Sequence, residues 1–447
     1  MIDLLFQALA GMTNAVLIAS GIVMAYWWIW APIFLFIVYI ETLTEFNRRT
    51  YLTGLMWVLL ELRLPMDPHK SPKAMEQLFS ALHSIGGIGD PPENLWVAFK
   101  AWRAKVFEGK VPDWYSFEIF ATGGEIHFYI RCQEKHRSII EAQIFGHYPD
   151  SEITPVSDYM AQLPANIPDE QYDVNGVELG LIKEGVFPIR TYPEFEEEGA
   201  GKDDVRRIDP LAPLAEAMNA FLLGEYGAIE YLIRSASEKW TKAWIKDSKN
   251  QSALDKLMGK EEKKETTFAD SVFAGIEGGA RSVAGTVFEP AEPSKEKEEK
   301  KKEDKPFNQL NPGIQDVIKT TEKALAKLQF QVGIRILYVA KKDKFVKERL
   351  STITAPFRIF SGQALNGFKT IFSPEVKKGF NKPVRTLKNK HMLYKRFRTR
   401  EFPNKPFVLN TEELATIFHF PDVGVKTPSL PRIETKKGEA PAGIPIV

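Results

Sequence analysis

Residues 124–131 read GEIHFYIR and residues 227–234 read GAIEYLIR, two octapeptides that share G-x-I-x-[FY]-x-I-R without a gap. Apolar side chains at every second position describe a strand with one covered face. The first octapeptide has a partner just before it. Tyr115, Phe117, Ile119 and Ala121 alternate, Gly123-Gly124 turns, and Ile126, Phe128, Ile130 and Cys132 alternate back, which is a hairpin signal. Further upstream, MWVLLELRL (56–64) places Val58, Leu60, Leu62 and Leu64 on one face and stops at Pro65. Ser71-Pro72 then opens a helix whose stripe is Met75, Leu78, Phe79, Leu82 and Ile85, ended by Gly86-Gly87. A loop leads to the hairpin, and a second helix from about Lys135 to His147 follows it, closed by Pro149. The order β-α-β-β-α is ferredoxin-like.

The same order returns around the second octapeptide. Val186–Tyr192 is read as its first strand, Asp209-Pro210 as the cap pair, and Leu211, Leu214, Met218 and Leu222 as the helix stripe. Phe330–Val339 (FQVGIRILYV) supplies the remaining strand and Phe345–Phe357 the last helix. The expected fold is therefore α+β, with a first ferredoxin-like unit over 42–165 and a second over 166–360. An insertion, 246–306, separates the strands of the second unit. Its residues 295–305 (KEKEEKKKEDK) are all charged and cannot bury a core, so disorder or a solvated helix is expected. Phe268, Val272, Ile276, Val283 and Val287 fall near one helical face within it. Three glycines from Gly275 to Gly279 favour a weak helix on its own domain over a membrane-surface helix.

The chain has 447 residues, 44% hydrophobic and 26% charged, enough for two or three packed domains. Its 59 basic and 58 acidic residues nearly cancel, so any electrostatic signal must be local. A single cysteine, Cys132, excludes an intrachain disulfide and a cysteine-based zinc site and fits a reducing compartment.

From Leu4 to Ile40 there are 37 consecutive residues without a formal charge. A bilayer core takes about 20 apolar residues as a helix. One span between Val16 and Ile40 is expected, with Leu4–Met12 at the interface or extending the helix and 1–41 as the anchor. Trp27, Trp28 and Trp30 before Pro32 are interface residues and allow a kink or a shift of the span towards 12–31. No basic residue precedes the run, which argues against a cleaved signal peptide. Arg48 and Arg49 follow it, so the positive-inside rule puts the amino terminus outside and the body in the cytoplasm.

Neither a P-loop pattern nor H-E-x-x-H nor G-x-S-x-G occurs. The seven histidines (83, 127, 136, 147, 391, 419 and 69) show no ligand spacing with a carboxylate. Glu118 and Glu125 can be drawn as a carboxylate pair across the hairpin, but polar pairs on a solvated strand face are common, and His127 reads as a surface residue. No catalytic, metal or cofactor residue is assigned.

The one strong local charge signal lies between Pro374 and Pro406. Eleven Lys and Arg stand there against Glu375 and Glu401, a net of +9. The candidate polyanion contacts are Lys377, Lys378, Lys382, Arg385, Lys388, Lys390, Lys395, Arg396, Arg398 and Arg400, with Lys405 closing the run. Phe380, Tyr394, Phe397 and Phe402 are interleaved, as where aromatics stack on bases while cations track phosphates. The same composition suits anionic lipid headgroups, and equally a solvated arm packing on a partner protein. Next comes LNTEELATIFHFP (409–421). Asn410 and Glu413 form a capping-box start, Leu414, Ile417 and Phe418 an apolar face, and Pro421 a stop. The last 26 residues are a Pro/Gly-rich, charged tail, so 361–447 reads as basic arm, docking helix and tail.

The blocks WVLLELRLP (57–65), SPKAMEQLFSALH (71–83), WYSFEI (114–119), GEIHFYIR (124–131), IIEAQIFGHYPD (139–150) and LNTEELATIFHFP (409–421) resemble the membrane-anchored, amino-terminal, non-ATPase region of bacterial type IV secretion coupling-protein-like proteins. In that family the LNTEELAT-type segment leads into a hexameric P-loop ATPase; here 26 residues follow it. The resemblance implies a non-catalytic component of a DNA- or protein-translocating apparatus in the bacterial inner membrane. A separate ATPase would dock through Leu414, Ile417 and Phe418, and a homo-oligomer is implied. The alternative is a stand-alone nucleic-acid or anionic-membrane binder using residues 377–405.

Overall fold

In a computed structural model, residues 21, 24–65, 71–199, 209–257, 311–362, 364–421 and 432–433 are described. The interface segment Leu4–Met12, the charged run 295–305, the helical face from Phe268 to Val287 and most of the tail lie outside the described residues.

Helix α1 (Trp27–Thr53) is 27 residues long, and long and apolar enough to cross a membrane. None of its residues is buried. Pro32 sits inside it, and it runs on past Ile40 for a further three turns to Gly54. Strand β1 (Trp57–Pro65) follows at once, then α2 (Lys73–Leu82) and α3 (Leu95–Phe107). The hairpin β2 (Tyr115–Thr122) and β3 (Glu125–Gln133) turns at Gly123-Gly124, both at positive φ. Helix α4 (Arg137–His147) and β4 (Glu152–Val156) close the first set. The second set holds β5 (Tyr172–Leu181), α5 (Tyr192–Gly199), α6 (Ala212–Asn219), β6 (Glu225–Ser235), α7 (Glu238–Ile245), α8 (Ser248–Leu257), α9 (Pro312–Leu325), β7 (Gln329–Lys341), α10 (Arg349–Thr354) and β8 (Phe368–Phe372). Helix α11 (Lys382–Thr399), β9 (Phe407–Asn410), α12 (Thr411–Ile417) and the short β10 (Arg432–Ile433) complete the described elements.

The fold is α+β, with a mostly antiparallel sheet. Strands β4-β1-β3-β2 neighbour one another in that order, and so do β6-β7-β5-β8. Pairing of β2 with β6 over eight residue pairs, Tyr115↔Ile233 to Thr122↔Tyr226, fuses the two sets. Three expectations change. The first strand of the second set is β5, not 186–192, which contains no strand. GEIHFYIR lies on the third strand of its set and GAIEYLIR on the second of the other, so the octapeptides match two central strands rather than equivalent ones. Residues 95–107, read as loop, form α3.

One face of the sheet carries Leu60, Phe117, Phe128, Ile130, Tyr231, Ile334 and Ile336, buried under α2, α4, α6 and α12. The other face carries Leu59, Phe120, Tyr129, Ala228, Leu337 and Val339, covered by α11 and by Tyr159, Met160, Leu163 and Ile167. At roughly 1.5–3 kcal/mol per fully buried large apolar side chain, each cover is a substantial term.

The sheet has two distinct ends. Trp57, Tyr115, Ile233 and Phe330 lie at the end next to α1. Leu62, Thr122, Glu225, Lys341 and Tyr172 lie towards the far end.

Candidate polyanion-binding surface

The basic segment is not a free arm. Residues 382–399 form α11, with Pro383 in its first turn, where a missing N–H costs nothing. Leu393, Tyr394 and Phe397 are buried against the sheet. Gly176 on β5 allows the close approach: a Cβ there would lie 2.8 Å from the Leu393 Cδ2 and 2.4 Å from the Ile336 carbonyl. The helix ends at Arg400, in a left-handed conformation (φ 50°) that L residues other than glycine seldom adopt.

What holds Arg400 there is a charge ladder inside the molecule. Glu61, Tyr129, Glu118, Glu230, Arg335 and Glu178 occupy one continuous register row across β1, β3, β2, β6, β7 and β5. Arg400 donates from Nε to Glu118 Oε1 and from Nη2 to Oε2, each at 3.1 Å, a bidentate fork. It also reaches Asp158, from Nη2 to Oδ1 at 2.9 Å. The hydroxyls of Tyr159 and Ser116 donate to Glu118 at 2.6 and 2.7 Å. Burial opposes ionisation of Glu118, but the Arg400 guanidinium and these donors outweigh it and hold the carboxyl below the usual carboxylate range. Arg335 bridges Glu178 (3.0 Å) and Glu230 (3.1 Å). Burial, with Glu118 nearby, nonetheless pushes Glu230 up to about 8. Glu118 is thus no solvated carboxylate but a fully buried one, and His127 bonds Glu61 at 2.8 Å.

The ten candidate cations divide into bound and exposed ones. In the carboxy-terminal part of the helix, Arg400 is buried and paired, Arg396 lies 3.6 Å from Glu178, and Arg398 donates to the Leu163 and Pro164 carbonyls. Lys390 pairs with Asp173 at 2.7 Å. These four hold the helix to the sheet and are not available to a polyanion. Lys377, Lys378, Lys382, Arg385, Lys388 and Lys395 are exposed. Of the interleaved aromatics, Tyr394, Phe397 and Phe402 are buried, whereas Phe380 is 86% exposed. Val384 and Leu387 are exposed beside it.

The structure adds cations that sequence separation hid. Lys341, Lys342 and Lys344, at the far end of β7, are exposed, and the Lys347–Glu375 ion pair ties this loop to the start of the basic segment. Their signal in the sequence is the KKDK run at 341–344. Helix α11 runs from this far end towards α1, where Arg48 lies 3.6 Å from Glu401 and Trp114 Nε1 donates to the Arg400 carbonyl. Its 18 residues at 1.5 Å rise put about 27 Å between the two ends. Arg48 and Arg49 also pair with Glu45, at 3.6 and 2.7 Å.

The chain's family model covers the sheet and the basic helix. Residues 60–432 match a domain of unknown function, DUF8128. The chain belongs to the DUF8128 family. The match takes in the charge ladder, α3 and α11, and begins after α1. No curated protein matches the sequence.

Residues 409–421 lie elsewhere than expected. Leu414, Ile417 and Phe418, read as a docking face for another chain, are 1%, 0% and 1% exposed. Phe418 packs edge-on against Phe117 and Tyr231, 5.1 and 5.6 Å between ring centroids. The capping box is present, and Glu413 additionally accepts the Ile189 N–H at 2.8 Å. The apolar face fits the chain's own core, so it has no surface to offer a partner. Among the described residues, no three His, Cys, Asp or Glu side chains converge as a metal site.

Proposed function

We propose that this DUF8128 protein is a membrane-anchored, non-catalytic component of a type IV secretion-like translocation apparatus that holds nucleic acid at the far end of its sheet, on the cytoplasmic side of a bacterial inner membrane. The observation that carries this reading is the separation from α1 of the exposed cations at the start of the helix, Lys382, Arg385 and Lys388; Lys395 alone of the exposed cations on the helix lies near the α1 end. At about 18–27 Å along the helix, some two to three Debye lengths at physiological salt, that group is screened from the headgroups around its own anchor. That favours a polyphosphate in the cytoplasm over the anchoring bilayer. Arg48 and Arg49, in the last turns of α1 after the uncharged run, support the cytoplasmic placement. The strand orders β4-β1-β3-β2 and β6-β7-β5-β8 support two ferredoxin-like units joined edge to edge. The resemblance of the six sequence blocks supports membership of the apparatus. A P-loop ATPase in trans and self-association remain part of the proposal; their contacts lie away from Leu414, Ile417 and Phe418.

The test is binding of single- and double-stranded DNA to the full-length protein in lipid nanodiscs as salt is raised. Log K should fall linearly with log salt, with a slope set by the number of phosphates neutralised. A flat salt dependence overturns the nucleic-acid reading.

A further inference from the structure

The sequence of α3, LWVAFKAWRAKVF, is apolar on nearly every side, holds three cations and no acid, and is capped by Asn94, whose side chain accepts the Val97 N–H. A helix of this kind is normally found inside a protein. Here only Val106 is buried. Leu95 is 90% and Trp96 73% exposed, and Val97, Phe99, Trp102 and Phe107 are exposed with them. The rings of Trp96, Phe99, Trp102 and Phe107 form an unbroken row, with centroids 6.0, 5.8 and 6.0 Å apart.

The position of the helix says what covers it. Helix α3 packs against α1. Asn47 Nδ2 donates to the Val106 carbonyl at 2.8 Å. At Gly109 (φ 65°), a Cβ would lie 2.2 Å from the Asn47 carbonyl oxygen, so the two backbones touch where no other residue would fit. Asn47 lies two turns beyond Ile40, the end of the uncharged run. The α3 contact therefore lies about two turns from the exposed apolar surface of α1, which runs from Trp27 to Tyr39.

We propose that α3 is a second membrane contact, lying in the headgroup layer of an anionic phospholipid bilayer beside the anchor. The proposal rests on α1 being a membrane anchor. Trp96 and Trp102 are the side chains that settle at that level, and Lys100, Arg103 and Lys105, all exposed, extend to lipid phosphates along their apolar stems. The contact fixes the tilt of the sheet on the membrane, which a single helix followed by a short link would leave free.

The experiment uses full-length protein in phosphatidylglycerol-containing vesicles, spin-labelled one position at a time at Trp96→Cys, Phe99→Cys, Phe36→Cys and Lys342→Cys. Native Cys132 stays silent, because burial pushes its thiol up to about 12. Collisions with oxygen, which concentrates in lipid, are compared with collisions with an aqueous nickel chelate. The expected oxygen-to-nickel ratio is highest at Phe36, raised severalfold at Trp96 and Phe99, and water-like at Lys342. Water-like ratios at Trp96 and Phe99 with a lipid-like Phe36 overturn the proposal and leave the anchor standing. A water-like Phe36 overturns the anchor, and the proposal with it. Shielding of Trp96 and Phe99 from both reagents means protein covers α3, a second copy for instance, and also overturns it.

Discussion

The two ends of the sheet expose opposite chemistries. At the end next to α1, the surface is rich in aromatic and aliphatic groups: Trp96, Phe99, Trp102 and the stretch of α1 from Trp27 to Tyr39. At the far end it is ammonium and guanidinium: Lys341, Lys342, Lys344, Lys377, Lys378, Lys382, Arg385 and Lys388. Exposed apolar surface in water is costly and calls for a cover, while exposed cations cost almost nothing and wait for a counter-charge. The comparison repeats along α11 itself. Its arginines near α1 are bound to carboxylates and carbonyls, whereas Lys382, Arg385 and Lys388 at the far end are exposed. One stretch of basic composition thus does two jobs, and burial separates them.

The largest effects should come from the bound half. Arg400→Met leaves Glu118 buried without its partner and should cost about 3–5 kcal/mol, read as a large drop in the denaturation midpoint. Lys388→Met, about three turns away at the exposed end, should stay within about 0.5 kcal/mol. Equal effects would erase the division of the helix. Phe418→Ala should cost a similar ~3–5 kcal/mol, because it opens a hole among Phe117, Phe128 and Tyr231. A Phe418→Ala protein of unchanged stability would return that side chain to the surface as a docking residue.

A smaller effect is expected from pH. Burial, with Glu118 facing it, raises Glu230 to about 8 in the fold, whereas an unfolded chain titrates it near the ordinary 4.5. Between those values the folded state holds a proton that the unfolded state has released, so stability falls as pH rises towards 8. Glu118 works in the opposite sense: its folded value is depressed, so its stabilisation is present above the ordinary carboxylate range and fades as pH falls through the folded value. Glu230→Gln should therefore flatten only the decline on the alkaline side, by roughly 1–3 kcal/mol between pH 5 and 9. Denaturant midpoints across that range check it, and an unchanged slope would mean that Glu230 is ionised in its row.

The sequence made some of this legible and hid the rest for physical reasons. The β2–β3 hairpin, α2, β7 and the capping box at Asn410 and Glu413 were legible because each is written in local periodicity or a cap. Strand β5 was missed because Gly176 and Gly180 interrupt its alternation, and α3 because an all-round apolar helix has no periodic face. The deepest gap concerns the second face of the sheet. Glu61, Glu118 and Glu230 alternate with apolar residues just as solvent-facing positions do. What buries Glu118 is Arg400, 282 residues away, and no local pattern announces it. For the same reason the ten basic residues could be counted but not divided into bound and free.

The measurement that bears most directly on the two-ended reading is the salt dependence of DNA binding by the nanodisc-embedded full-length protein and two charge-reversed forms. One carries Lys382→Glu, Arg385→Glu and Lys388→Glu at the far end; the other carries Lys100→Glu, Arg103→Glu and Lys105→Glu on α3. With about 0.7–0.9 of slope per phosphate contact, the far-end form should lose roughly two to three units of slope. The α3 form should keep the native slope. Loss of slope in the α3 form with retention in the far-end form would contradict the account.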